Sequence, residues 1–175
     1  MASIALFGIA MSIISAVFIT ALRSQRIIVA LMAANDNTYF TLEQMAREMR
    51  LGRSFTISNN SEELKKFSFE DPRGNIIHYL YNKNSKNIKR CLKAYNSSNS
   101  AYCDTENNFS QISAANVDVR RFRFDMIGES TNDGTPIVVT FFLSIAANNI
   151  PEAKNILTHI QTTTAVRNLD EDIPL

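Results

Sequence analysis

The side chains with chemistry to offer fall into a few groups along the chain. Cys91 and Cys103 are its two cysteines, too few for a disulfide scaffold and without companions at zinc-ligand spacing. The stretch between them, LKAYNSSNSAY, has no apolar periodicity and cannot order itself by burial. In an oxidising compartment the pair is expected to form one bridge, which in the entropy model adds about 3 kcal/mol by constraining the unfolded chain. In a reducing compartment both remain thiols. His78 and His159 sit in alternating apolar stretches with no cysteine or acid at ligand spacing, so each reads as an ordinary sheet residue rather than a base or metal ligand. Asp104 with Glu106, and Asp170 with Glu171 and Asp172, match no calcium-binding loop and read as solvated acidic surface.

Lys83, Lys86, Lys89, Arg90 and Lys93 form a basic stretch with no acid among them, flanked by Tyr79, Tyr81 and Tyr95. Two readings stand. Such a patch can follow a nucleic-acid backbone while tyrosines stack on bases. Lysines also protect the edge of a hairpin against pairing with other strands, and this reading is favoured. A formal net charge of +1 supplies no global field toward an anionic partner. The chain carries no nucleophile elbow, glycine-rich phosphate loop or catalytic carboxylate pair. Neither catalysis nor a cofactor is expected, and no metal site is assigned.

These groups must be held by the elements around them, and the first of those elements dominates. Residues 1–22, MASIALFGIAMSIISAVFITAL, contain no charge. As a helix rising ~1.5 Å per residue they reach roughly 33 Å, the thickness of a bilayer's hydrocarbon core. A cleavable signal fits poorly, since no basic segment precedes the apolar run and no small-residue cleavage site follows it. Neither proline nor glycine interrupts the chain from Arg23 until Gly52, so the helix is expected to continue to about residue 52 as a rod of ~75 Å. Leu31, Thr38, Leu42, Met45 and Met49 recur on one face of the second half. Within the apolar half Gly8, Ser12, Ala16 and Thr20 lie four apart, a small-residue stripe against which another helix can pack closely. Arg23 and Arg26 follow the span, and by the positive-inside rule alone they place the rest of the chain in the cytoplasm.

Residues 53–175 read as one globular, β-rich domain. SFTIS, KFSFE and NIIHYLY alternate as strands, and Ser85–Leu92 returns as the partner of the third. Turn chemistry separates them at Asn59–Ser61, Asp71–Asn75 and Asn82–Asn84. Lys93–Ala115 is expected as surface loop. NVDVRRFRFDM alternates with one slip at Arg120-Arg121, which predicts a bulge. IVVTFFLSIA reads as a central strand, and a last strand is expected within Ala153–Val166. The class is α+β, one long helix packed on an antiparallel sheet.

The order of these parts resembles type IV pilin-like proteins, most closely the J-like minor pseudopilins. Three stretches carry the resemblance: SIALFGIAMSIISAVFITALRSQR; NTYFTLEQMAREMRLGRSF; and NVDVRRFRFDMIGESTNDGTPIVVTFFLSIA followed by HIQTTTAVRNLD. The resemblance implies a structural subunit of a type IV pilus or type II secretion-like filament. It also implies assembly with other pilin subunits through the helical stem, and a single pass in the inner membrane with the domain outside. It sets the family's topology against the charge rule. The chain lacks the family's leader-peptidase site and the glutamate of its apolar stem, which implies a start inside the family's mature N-terminus. A nucleic-acid-binding minor pilin and a monomeric membrane-anchored binding domain are the alternatives.

Overall fold

The computed structural model of the chain describes residues 2–59, 64–95, 102–128 and 136–166. A single helix, α1, runs from Ala2 to Arg50. It stops where Gly52 donates its N–H to the Met49 carbonyl at 2.9 Å. Glycine is required there by space, because a Cβ at residue 52 would stand 2.5 Å from the Phe69 ring and 3.0 Å from that of Phe55.

Among the described residues eight strands follow: β1 (Arg53–Asn59), β2 (Leu64–Glu70), β3 (Ile76–Asn82), β4 (Asn87–Lys93), β5 (Ser110–Gln111), β6 (Val117–Ile127), β7 (Val138–Ala147) and β8 (Thr158–Ala165). The α+β class stands, with one long apolar N-terminal helix and antiparallel pairing throughout. The single sheet expected from the strand pattern is instead two, ordered β1-β2-β3-β4-β5 and β6-β7-β8. The switch occurs after β5. Ile112 and Ser113 still donate to the Ile88 carbonyl, and then the chain turns, with Val117 N–H on the Ala114 carbonyl, to begin the second sheet. A register shift between Val119 and Arg121 is the bulge that the slip in alternation predicts.

Other expectations shift at the boundaries. The loop 93–115 contains two short 3-10 turns, Tyr102–Asp104 and Glu106–Asn108, as well as β5. The last strand begins at Thr158, because Pro151–Ala153 forms a 3-10 turn rather than extended chain. The turn at Asn59–Ser61, the middle of the long turn before Pro136 and the acidic tail 167–175 lie wholly or partly outside the described residues.

The two sheets and the second half of α1 enclose one core. Phe67, Phe69, Tyr79, Tyr81 and Ile88 come from the first sheet, Phe122, Phe124, Phe141, Leu143 and Ile160 from the second. Phe67 and Phe124 meet at 5.1 Å between ring centroids, and Phe122 and Phe141 stack at 6.0 Å. Of the predicted helix face, Thr38, Leu42, Met45 and Met49 are buried and Leu31 is half-buried. Met45 and Met49 lose all exposure, worth ~1.5–3 kcal/mol each. Ala30, Ala34, Thr41 and Ala46 join them. Their small side chains let β7 and β8 lie close against the helix. An apolar period counted on large residues alone passes over them.

Candidate assembly and interaction surfaces

Among the described residues nothing packs against the apolar first half of α1. The helix from Ser3 to Arg50 is long and apolar enough to cross a membrane, and its most apolar window, of mean hydropathy 2.4, is wholly unburied. Gly8, Ser12, Ala16 and Thr20 are all exposed. A Cβ added at Gly8 would meet no atom within 4 Å. The Ser12 hydroxyl donates to the Ile9 carbonyl at 2.8 Å and that of Thr20 to the Ala16 carbonyl at 2.9 Å. Turned back on their own helix, these hydroxyls present a largely apolar stripe.

A second surface on the stem begins with the bulky residues of the span, Phe7, Met11, Ile14, Phe18 and Leu22, which the sequence already places on a face apart from the small-residue stripe; its continuation beyond the span has no counterpart there. Phe7, Met11, Ile14, Phe18 and Leu22 are exposed, and so, past the uncharged span, are Val29, Met32 and Phe40. At 3.6 residues per turn these eight fall within an arc of roughly 80°, on the side of the helix opposite Thr38, Met45 and Met49. Phe40 is 74% exposed and Met32 61%. Beside the domain, therefore, the uncovered side of the helix also carries large apolar side chains, although Gln25, Asp36 and Glu43 fall in the same arc and interrupt them. The signal was present as two interleaved apolar stripes, one of which the domain uses.

At the domain end, Glu48 ties the stem to the first sheet. Its Oε2 accepts from the Tyr79 hydroxyl at 2.7 Å and from Arg90 Nε at 3.0 Å. Tyr79 and Arg90 are direct neighbours on β3 and β4. Burial, then the bond to Glu48, raises the tyrosine's pKa far above its ordinary value.

Cys91 and Cys103 are joined in a disulfide, with alpha carbons 5.9 Å apart. Both are buried, at 2% exposure, together with Leu80. The bridge lies on the face of β3 and β4 that points away from the core, and it holds the 3-10 turns across that face. Lys66 Nζ donates to the Cys103 carbonyl at 3.1 Å and reaches Asp104 at 3.4 Å. Lys89 Nζ and Asn82 Nδ2 both donate to Glu106, at 2.8 and 2.9 Å. Those bonds hold the Glu106 carboxyl below the usual carboxylate range. Glu106 is thus a partner of the sheet's lysine rather than solvated surface. Asp170, Glu171 and Asp172 fall outside the described residues.

His78 lies beside the bridge, in register with Ser68 on one side and Cys91 on the other. Burial, reinforced by Lys66, lowers its pKa to about 4. Its buried Nδ1 has no hydrogen-bond partner among the described residues. His159 is exposed on the second sheet, where its Nδ1 is 2.8 Å from the Ser144 hydroxyl. Ser144 and His159 are cross-strand neighbours, and among the described residues no carboxylate hydrogen-bonds the ring. This is a sheet pair rather than a nucleophile with an oriented base.

The basic stretch does not gather into one patch. Successive strand residues point to opposite faces, and Arg90 turns to the helix while Lys89 turns to Glu106. Lys86 pairs with Asp118 at 3.5 Å. Lys83 is exposed and Lys93 half-buried. Tyr79 and Tyr81 are 1% and 3% exposed and have no free face for a base, whereas Tyr95 is exposed. The favoured edge-hairpin reading also needs correction. β3 is the middle strand of its sheet, and the outer side of β4 is paired by β5 at Lys89 and Arg90.

No family profile, no curated protein and no solved structure matches this chain.

Proposed function

We propose that this chain is a structural subunit of a pilin-like filament, a minor pilin or pseudopilin whose stem bundles with the stems of other subunits. The observation that carries the reading is the row of exposed large apolar side chains from Phe7 to Phe40, interrupted at Gln25 and Asp36, along both the span and the part of the helix beside the domain. A monomeric anchor needs an apolar surface only where lipid covers it. A ridge that continues past Arg23 and Arg26 as Val29, Met32 and Phe40 needs a cover outside the bilayer as well. A neighbouring stem supplies it. The stripe Gly8, Ser12, Ala16 and Thr20 gives that neighbour a close approach inside the lipid. Before assembly the stem sits in the inner membrane with the domain on the oxidising side. The Cys91–Cys103 bridge supports that orientation, because such bonds persist where thiols are not kept reduced.

The test is the double substitution Met32→Lys with Phe40→Glu. Neither side chain touches the core, so the domain keeps its thermal transition within about 1 kcal/mol of the parent. Cross-linking in the native membrane should lose its higher-order products. Undiminished cross-linking would defeat stem bundling and favour the monomeric anchor. Nucleic-acid binding is the weaker reading, since Lys86, Lys89 and Arg90 are paired with carboxylates and Tyr79 and Tyr81 are buried.

A further inference from the structure

Hydrogen bonds fix the height of each part of the domain along α1. Glu48, near the helix's end, holds Tyr79 and Arg90. Further toward the span Thr41 donates to the Ile112 carbonyl, and beyond it Asn37 donates to the Asn116 side chain at 2.9 Å. The Asn116 carbonyl accepts the Asn148 N–H at 3.1 Å, so the end of β7 lies level with Asn37. The chain then turns toward β8, and its 3-10 turn Pro151–Ala153 touches α1. Ala153 is fully buried and shares the core with Ala30 and Ala34, while Ile27 and Ile150 pack against it. The corner 148–157 is therefore the part of the described domain nearest the span.

This corner carries large apolar side chains that the core does not cover. Ile156 is 41% exposed and Leu157 48%, and Pro151 is exposed as well. The height of the corner says what covers them. At 1.5 Å per residue Ile27 lies ~7.5 Å beyond Leu22 and Ala30 ~12 Å. A headgroup layer is roughly 5–8 Å deep on each side of the hydrocarbon. With the uncharged run in the hydrocarbon, the lowest contact of the domain falls at the outer edge of that layer. Large side chains on the corner are within its reach. A stem seated on the row from Phe7 to Phe40 leaves the corner open, because that row lies on the side of α1 away from the domain. Charge does not select the surface. Glu152 and Lys154 are both exposed on the corner, and Arg120, which reaches the Lys154 carbonyl at 3.4 Å, is paired with Asp118.

We propose that the corner 148–157 seats in the headgroup layer of the membrane that α1 crosses, with Ile156 and Leu157 inserted into the lipid surface. The inference rests on the reading that the stem spans a bilayer before assembly. Span and corner together restrict the tilt of the domain over the membrane, and the corner leaves the lipid when the subunit enters a filament.

The experiment places a fluorophore on one engineered cysteine at a time in the full chain, with the native bridge intact. The chain is held in vesicles of zwitterionic phosphatidylcholine at a low protein-to-lipid ratio. Leu157→Cys labels the corner, Val17→Cys the span, and Ile127→Cys the opposite end of the second sheet, where Ile127 is 72% exposed. Nitroxide quenchers are carried on the lipid headgroup or in the middle of the acyl chain. The Leu157 label should lose emission to the headgroup quencher, the Val17 label to the acyl-chain quencher, and the Ile127 label to neither. Quenching at Val17 with a Leu157 label as bright as that at Ile127 overturns the proposal and leaves the span in place. No quenching at Val17 overturns the membrane-spanning reading and the proposal with it. A Leu157 label shielded from aqueous iodide yet untouched by either lipid quencher is covered by protein, which also overturns the proposal. Ile156→Cys repeats the measurement if Leu157→Cys fails to fold.

Discussion

His78 shows how a single titratable side chain is put to structural use. It sits beside the disulfide with Lys66 near its ring, and both burial and that charge favour the neutral imidazole. In the unfolded chain the same ring takes up a proton near pH 6.5. Between about 6.5 and about 4, then, the unfolded state binds more protons than the folded one, and stability falls as pH is lowered. Below about 4 both states are protonated and this contribution levels off. One proton sets a ceiling of about 1.4 kcal/mol per pH unit on the slope. Urea titrations of the parent and of His78→Gln at pH 7, 6, 5 and 4.5 should therefore converge at the acid end. If the parent's midpoint is flat across that window, or if the variant falls just as steeply, the imidazole is not the group responsible. Glu48 works differently, because its value lies in accepting from Tyr79 and Arg90 together and so fixing the end of the helix to the third and fourth strands.

At the level of elements, α1, the alternating strands and the bulge at Arg120-Arg121 were legible because each rests on a local pattern. Charge-free length gives a helix in lipid, period two gives a half-buried strand, and one skipped alternation gives a bulge. Which sheet a strand joins is not local. β5 is two residues long and joins the first sheet by pairing with Lys89 and Arg90, while β6 begins a second sheet six residues later. Nothing in the alternation of either strand encodes that parting. The basic stretch misled for a related reason, since its partners Glu48 and Asp118 lie 42 and 32 residues away. The candidate surfaces divided in the same way. The cysteine pair was legible as a bridge only on the condition of an oxidising compartment, since the chain holds just two cysteines, whereas which sheet each strand joins was not legible at all. The disulfide lies outside the main core, on the far side of β3 and β4, and clamps the 3-10 turns there. Replacing Cys91 and Cys103 together with Ser should lower stability by about 2–3 kcal/mol while leaving the far-UV β signal unchanged. A loss of the sheet itself would mean that the clamp, rather than the aromatic core, holds β3 and β4 in place.

Over the whole molecule, the burial of α1 divides the chain into two physical regimes. None of the helix from Ser3 to Arg26 is buried, while contact with the domain begins at the partly buried Ile27 and continues through Ala30, Ala34 and Thr38 to Met49. Removing residues 1–22 therefore takes nothing from the core. It also removes most of the apolar ridge and all of the stripe Gly8, Ser12, Ala16 and Thr20, which are the surfaces proposed for assembly. A chain beginning at Arg23 is expected to unfold in one cooperative transition, with the near-UV signal of packed aromatic residues, and to sediment as a monomer at micromolar concentration. The full chain in detergent should associate further, and the difference between the two isolates the contribution of the span. A shortened chain that binds hydrophobic dye and unfolds without a transition would show that the domain depends on the apolar first half of α1. A shortened chain that folds but associates as strongly as the full chain would move the assembly contact onto the domain, because Val29, Met32 and Phe40 alone leave too little of the ridge to sustain it.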